Sequence, residues 1–130
     1  MPIQPIPTPS QPFAAGPYSS ALRAGDWIVC SGQIGLDPAT GAIAAGGVEV
    51  QARRALDNVT AILADCEATW ADVAKVTLFV GTESPQWMPQ VNAVYAEVVG
   101  EHRPARSTVG VAWLPMGASF EVEVWVYKPL

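Results

Sequence analysis

Two hydrophobic periods alternate along this chain. Between about Val48 and Glu67, the apolar positions Ala52, Ala55, Leu56, Val59, Ile62, Leu63 and Cys66 recur at steps of three and one. Gln51, Arg53, Arg54, Asp57 and Asp65 fall mostly off that stripe, the pattern of a helix that buries one face. A second stripe follows Ser84-Pro85 and comprises Trp87, Met88, Val91, Val94, Tyr95 and Val98. Proline is tolerated in a first helical turn, and Gly100 is placed to end this helix. Elsewhere the period is two. Lys75–Val80 sets Val76, Leu78 and Val80 against Thr77 and Phe79. Ser119–Tyr127 sets Phe120, Val122, Val124 and Val126 against Glu121, Glu123, Trp125 and Tyr127. A further strand is expected from Arg106 to Trp113, before the turn Leu114-Pro115-Met116-Gly117.

Toward the N-terminus, Ala21-Leu22-Arg23 and Trp27–Ser31 read as two arms of a hairpin around Ala24-Gly25-Asp26. Thr69-Trp70-Ala71-Asp72 has the spacing of a capping box and predicts one short helical turn. The order is β-β-α-β-α-β-β, an α+β domain whose mixed sheet carries two helices on one face. The other face then bears Phe79, Trp125 and Tyr127, apolar surface of the kind that oligomers bury. Pro2, Pro5, Pro7, Pro9 and Pro12 make residues 1–15 an irregular, extended arm, and a single domain is expected over 16–130.

Composition narrows the function. Half of the 130 residues are hydrophobic and 15% are charged, against about 25% charged in a typical soluble domain. This shortage of polar surface again predicts a homo-oligomer. The net charge of -5 offers no field for a phosphate backbone, so nucleic acid is not an expected partner. No segment has the ~18 apolar residues of a membrane helix, and the N-terminus lacks the features of a signal peptide. Cys30 and Cys66 lie apart, within apolar runs, and read as reduced structural thiols. A cytoplasmic location is expected.

The usual catalytic constellations are missing. His102 is the single histidine, so neither a histidine-based metal site nor a Ser–His pair involving Ser31 has support. The glycines match no nucleotide-binding loop. Neither a metal nor a cofactor is expected. Arg106 remains. It begins a strand of small and apolar residues, with Thr108 and Gly110 on its side, and its planar fork suits a carboxylate. Glu121, on the following strand, could face the same cleft. The residues alone leave two readings open, an anion site and a structural Arg–Glu pair.

The chain resembles the RidA/YjgF family. The likeness is carried by Gly16-Pro17-Tyr18-Ser19, Ser31-Gly32-Gln33-Ile34, Asp37-Pro38 with Thr40-Gly41, and Gln51-Ala52-Arg53. It continues through Leu56-Asp57-Asn58-Val59, Asn92-Ala93 with Tyr95, Pro104-Ala105-Arg106-Ser107, Leu114-Pro115 and Glu121-Val122-Glu123. It spans about residues 16 to 127. The resemblance implies a chorismate-mutase-like homotrimer with clefts between subunits. It also implies cofactor-independent hydrolysis of 2-enamino or 2-imino acids, such as 2-iminopropanoate, to 2-oxo acids and ammonia. By the same resemblance Arg106 binds the substrate carboxylate and Glu121 positions or activates the water, while Tyr18, Ser31, Gly32 and Asn92 line the cleft. The chain departs from the most typical members at Thr108, where they carry cysteine, and in a shorter stretch from Asn92 to Arg106. A non-catalytic trimer that binds a small carboxylate ligand is the alternative. The ribonuclease role once attached to relatives conflicts with the acidic composition and the lack of a histidine pair.

Overall fold

In the computed structural model, which describes residues 2–12, 16–81 and 85–130, the first apolar stripe forms helix α1, Val48–Asp65, and buries Ala52, Ala55, Leu56, Val59, Ile62 and Leu63. The helix stops where Glu67 turns left-handed (φ 59°) and the amide of Ala68 reaches back to the Leu63 carbonyl. The second stripe forms a short 3-10 turn at Pro85–Trp87 and helix α2, Met88–Val99, ended by Gly100 at φ 84°. Ser84, expected to precede it, lies outside the described residues. The capping box at Thr69 closes as predicted, with Asp72 accepting from the Thr69 amide at 2.9 Å.

Among the described residues seven strands make one sheet: β1 (Gln4–Pro5), β2 (Ala21–Ala24), β3 (Trp27–Cys30), β4 (Gln33–Ile34), β5 (Val73–Val80), β6 (Ala105–Gly110) and β7 (Phe120–Tyr127). Their order is β1-β2-β3-β7-β5-β6, with β4 also paired to β7. Only β5 and β6 run parallel, joined through α2, so the sheet is mixed. Val76, Leu78 and Val80 of β5 and Phe120, Val122, Val124 and Val126 of β7 are completely buried. They pack under both helices. Burial of this kind contributes roughly 1.5–3 kcal/mol per large aliphatic or aromatic side chain, and it anchors the two central strands that carry the polar residues discussed below. Among the described residues no helix is long and apolar enough to cross a membrane.

Three expectations change. The arm is not wholly irregular: Gln4 and Pro5 pair with Arg23 and Leu22, and the Ile6 amide bonds to the Ala21 carbonyl. Proline is accepted there because an edge strand has one side with no ladder to complete. The strand from Arg106 ends at Gly110 rather than Trp113, since β5 ends opposite it at Val80, and Trp113 is 76% exposed. Finally, β4 is an unpredicted strand. Val29 to Gln33 takes four steps where Trp125 to Val122 takes three, a bulge of one residue between β3 and β4.

On the face away from the helices, Trp27, Trp125 and Tyr127 are 38%, 44% and 48% exposed. Their rings meet edge to face, with centroids 6.4 Å apart for Trp27–Trp125 and 5.2 Å for Trp27–Tyr127. Phe79 on the same face is half-buried. The apolar outer face expected from the alternation is therefore present.

Candidate active site

Arg106 stands on β6, at the edge of the sheet. It pairs with Val76 and Thr108 pairs with Leu78, so both side chains leave the sheet on the side the helices cover. From α2, Asn92 and Tyr95 meet Arg106 one turn apart, the spacing that puts two helical residues on one face. Arg106 Nη2 donates to Asn92 Oδ1 at 2.9 Å, and the guanidinium lies 4.8 Å above the Tyr95 ring centre. Among the described residues no carboxylate pairs with Arg106. The buried Tyr95 hydroxyl beneath it also has no hydrogen-bond partner there. Burial pushes the Tyr95 phenol above its usual value, and Arg106 opposes that shift only in part. A depression of about 290 Å³, open to solvent, is lined by Asn92, Tyr95, Ala96, Arg103, Pro104 and Arg106. An oriented cation with an unsatisfied fork is suited to an incoming anion.

Glu121 lies elsewhere. It stands opposite Phe79 on the face turned away from the helices, and β5 separates its strand from β6. Within one chain the sheet comes between Arg106 and Glu121. Within one chain they therefore do not share a cleft, and a structural Arg106–Glu121 pair inside a single subunit is excluded. The cause is strand order: consecutive strands β6 and β7 are not neighbours, and the two residues differ in parity.

Around Glu121 the bulge between β3 and β4 brings the backbone close. A Cβ on Gly32 would come 2.7 Å from the Glu121 carboxyl carbon, so the glycine is required for the carboxylate to sit there. Tyr18, Ser31, Gly32, Pro115 and Glu121 line the mouth of this recess. Ser31 Oγ donates to the Ser19 carbonyl at 2.5 Å, which ties down the turn bearing Tyr18. Helix α1 supports the walls through two buried amides. Gln51 Oε1 accepts from the Ser119 amide at 2.8 Å, near the start of β7. Asn58 Nδ2 donates to the Leu36 carbonyl at 2.8 Å and the Ile34 carbonyl at 3.3 Å. Burial raises the Glu121 carboxyl above the usual carboxylate range, and the nearby Glu123 adds to the rise. A half-buried carboxylate of this kind is a better proton acceptor than one in water.

The site residues expected from the sequence thus fall into two groups. Tyr18, Ser31, Gly32 and Glu121 come together on one face; Asn92, Arg106 and Thr108 come together on the other. Tyr95, read as part of the second apolar stripe and of the family likeness but not as a site residue, shares the Arg106 face, and its position three residues after Asn92 is the signal. Pro115 and Met116, read as turn residues, also border the Glu121 recess. His102 is engaged with the Val73 carbonyl at 2.8 Å. Burial raises both thiols, that of Cys30 to about 12, which fits structural cysteines.

Comparison with known proteins agrees with this arrangement of elements. The sequence profile described as Endoribonuclease L-PSP matches residues 8–128. The 2-iminobutanoate/2-iminopropanoate deaminase of Salmonella typhimurium is 40% identical over 121 residues, covering 91% of this chain and 92% of that protein. The human protein of the same name is 36% identical over 126 residues, covering 96% and 90%. A RutC family protein of Pyrococcus horikoshii is 40% identical, covering 93% and 94%. The crystal structure of the YjgF gene product from E. coli superposes with a TM-score of 0.87 at 38% identity, over 96% of this chain and 98% of that one. E. coli TdcF with bound serine gives 0.87 at 34% identity, over 96% and 98%. With this much of its length matched in both sequence and structure, the chain belongs to the Endoribonuclease L-PSP family, the RidA/YjgF group.

Proposed function

We propose that the protein hydrolyses 2-enamino and 2-imino acids to 2-oxo acids and ammonia, without a cofactor, in clefts completed between the subunits of a homotrimer. The observation that carries this reading is the division of the site. A carboxylate receptor and a desolvated carboxylate are each built with care, yet the sheet keeps them apart within a chain. Each becomes half of one site when the Arg106 side of one subunit faces the Glu121 side of the next. The exposed aromatic face of Trp27, Trp125 and Tyr127 supplies apolar surface for such an assembly. The names of the Salmonella and human relatives supply the reaction class.

In this reading Arg106, oriented by Asn92 and Tyr95, holds the substrate carboxylate by two parallel hydrogen bonds, with Thr108 beside it. Tyr18, Ser31 and Gly32 border the reacting end. With the substrate nitrogen protonated as the iminium, Glu121 accepts a proton from water as the water oxygen bonds to the carbon and the C=N π pair moves to nitrogen, giving a neutral carbinolamine. Glu121 then returns its proton to the nitrogen, and the C–N bond breaks as the hydroxyl proton passes to Glu121 and on to solvent, so that the C=O bond forms and ammonia leaves. Most of the acceleration comes from placing an already electrophilic carbon beside an oriented water, with the proton transfer supplying the rest.

The test is ammonia release from 2-iminopropanoate generated in place by an amino-acid oxidase. Intact protein is expected to accelerate it. Arg106→Ala should lower kcat/KM by roughly two to three orders of magnitude, in line with about 2–5 kcal/mol for truncating one member of a desolvated charge pair. Glu121→Ala should also slow the reaction, through kcat. No acceleration across a small panel of imines would leave a carboxylate-binding trimer without turnover.

A further inference from the structure

The Glu121 recess does not end at the carboxylate. The carboxylate borders a chamber of about 70 Å³, shared with Tyr18 and Gly32, whose apolar walls include Ile34, Leu36, Pro38, Met116 and Pro12 of the arm. A single water needs about 10–15 Å³ by the same kind of measure, so the chamber has room for several heavy atoms. Its walls are fixed from outside. Asn58 holds the carbonyls of Ile34 and Leu36, and Ser10 of the arm bonds through both its amide and its hydroxyl to Asp65 at the end of α1, which delivers Pro12. Of the polar side chains at its border, Gln33 donates to the Ser31 carbonyl at 3.3 Å and Gln11 to Ser10 Oγ at 3.5 Å, while Ser20 contributes a hydroxyl. Among the described lining residues only Glu121 and Tyr18 are ionisable, and none is cationic.

We infer that this chamber receives the substrate's side chain and makes branched aliphatic 2-imino acids, of the size derived from leucine, the favoured substrates. The inference rests on the deaminase reading above and adds to it a substrate class. An apolar pocket rewards each added methylene with a several-fold to hundredfold gain in kcat/KM when the pocket is otherwise empty. A second carboxylate on the side chain would be desolvated here beside Glu121 with no cation to offset it. Imines carrying acidic side chains are therefore rejected.

The experiment compares ammonia release from 2-iminopropanoate and from 2-imino-4-methylpentanoate, each generated in place, for the intact protein and for Leu36→Phe and Leu36→Ala. Intact protein should favour the larger imine by about tenfold or more in kcat/KM. Leu36→Phe, which narrows the chamber, should lower that ratio by about tenfold; Leu36→Ala, which widens it, should shift preference toward still longer side chains. A ratio does not depend on how much of a variant folds. If 2-iminopropanoate is turned over but the larger imine is not preferred, or neither variant moves the ratio, the chamber assignment is overturned while the deaminase reading stands. If neither imine is accelerated, both fall.

Discussion

On the helix-covered side of the sheet, Arg106 is prepared by its neighbours. Asn92 fixes the direction of the guanidinium and Tyr95 offers it a ring face, while the fork stays open toward solvent. On the other side, Glu121 is prepared by exclusion. The bulge before β4 presses Gly32 against the carboxylate, and burial raises its proton affinity. The two treatments match the two proposed roles. A guanidinium stays charged over the whole physiological range, so only its orientation can be tuned. A carboxylate that must take up and release a proton gains from desolvation, because its working range moves toward neutral pH. One strand, β5, separates the two treatments.

The largest expected effect comes from removing the proton acceptor without changing its shape. Glu121→Gln should reduce kcat by roughly 10²–10⁴. The pH profile should change with it. Glu121 must be ionised to act, and its pKa is raised, so the intact protein should lose kcat/KM on the acid side at a higher pH than an ordinary carboxylate would impose. The variant's residual rate should lack that limb. A profile of the intact protein that stays flat down to the usual carboxylate range would remove Glu121 from the reaction.

Mixing tests the division itself. Unfolding Arg106→Ala and Glu121→Gln proteins together and refolding them should restore activity to about a quarter of the intact level, the share of random interfaces that bring an intact Arg106 against an intact Glu121. No recovery, with mixed oligomers demonstrated by mass, would show that the two half-sites do not meet.

A smaller effect should follow from Asn92→Ala. Losing one hydrogen bond to the guanidinium should raise KM about 5–10-fold with kcat little changed, consistent with roughly 1–1.5 kcal/mol for such a bond. A drop confined to kcat would place Asn92 at the reacting atoms instead. The smallest effect concerns stability. Because the folded-state pKa of Glu121 is raised, ionising it costs folding free energy as pH climbs through that value. Glu121→Gln should therefore raise the Tm at pH 7 slightly, with the difference vanishing as pH falls below the range where the unfolded carboxyl titrates.

Much of this architecture was readable from spacing. The stripe from Ala52 to Cys66 and the alternation in β5 and β7 are long enough for period alone to separate helix from strand. They name most of the core. Short elements were harder. Gln4–Pro5 and Gln33–Ile34 are two residues each, too brief for any period, and proline argues locally against the first. Of the candidate site, Arg106 stood out because a strand of small residues gives a lone cation nothing to pair with. Tyr18, Ser31, Gly32 and Asn92 came only through family resemblance, since none is unusual in its own neighbourhood. Tyr95 was hidden because a residue that packs in the core and supports a cation looks, in sequence, like any other core aromatic.

The amino-acid sequence by itself determined the two helices, the faces of the central strands, an apolar outer surface and an arginine in need of an anion. These are properties of local period and composition, which neighbouring residues settle among themselves. Only the tertiary structure decided that β5 runs between β6 and β7, so that Arg106 and Glu121 leave the sheet on opposite sides. Strand order and bulges are set by which distant segments pack best together, and that information is spread over the whole chain.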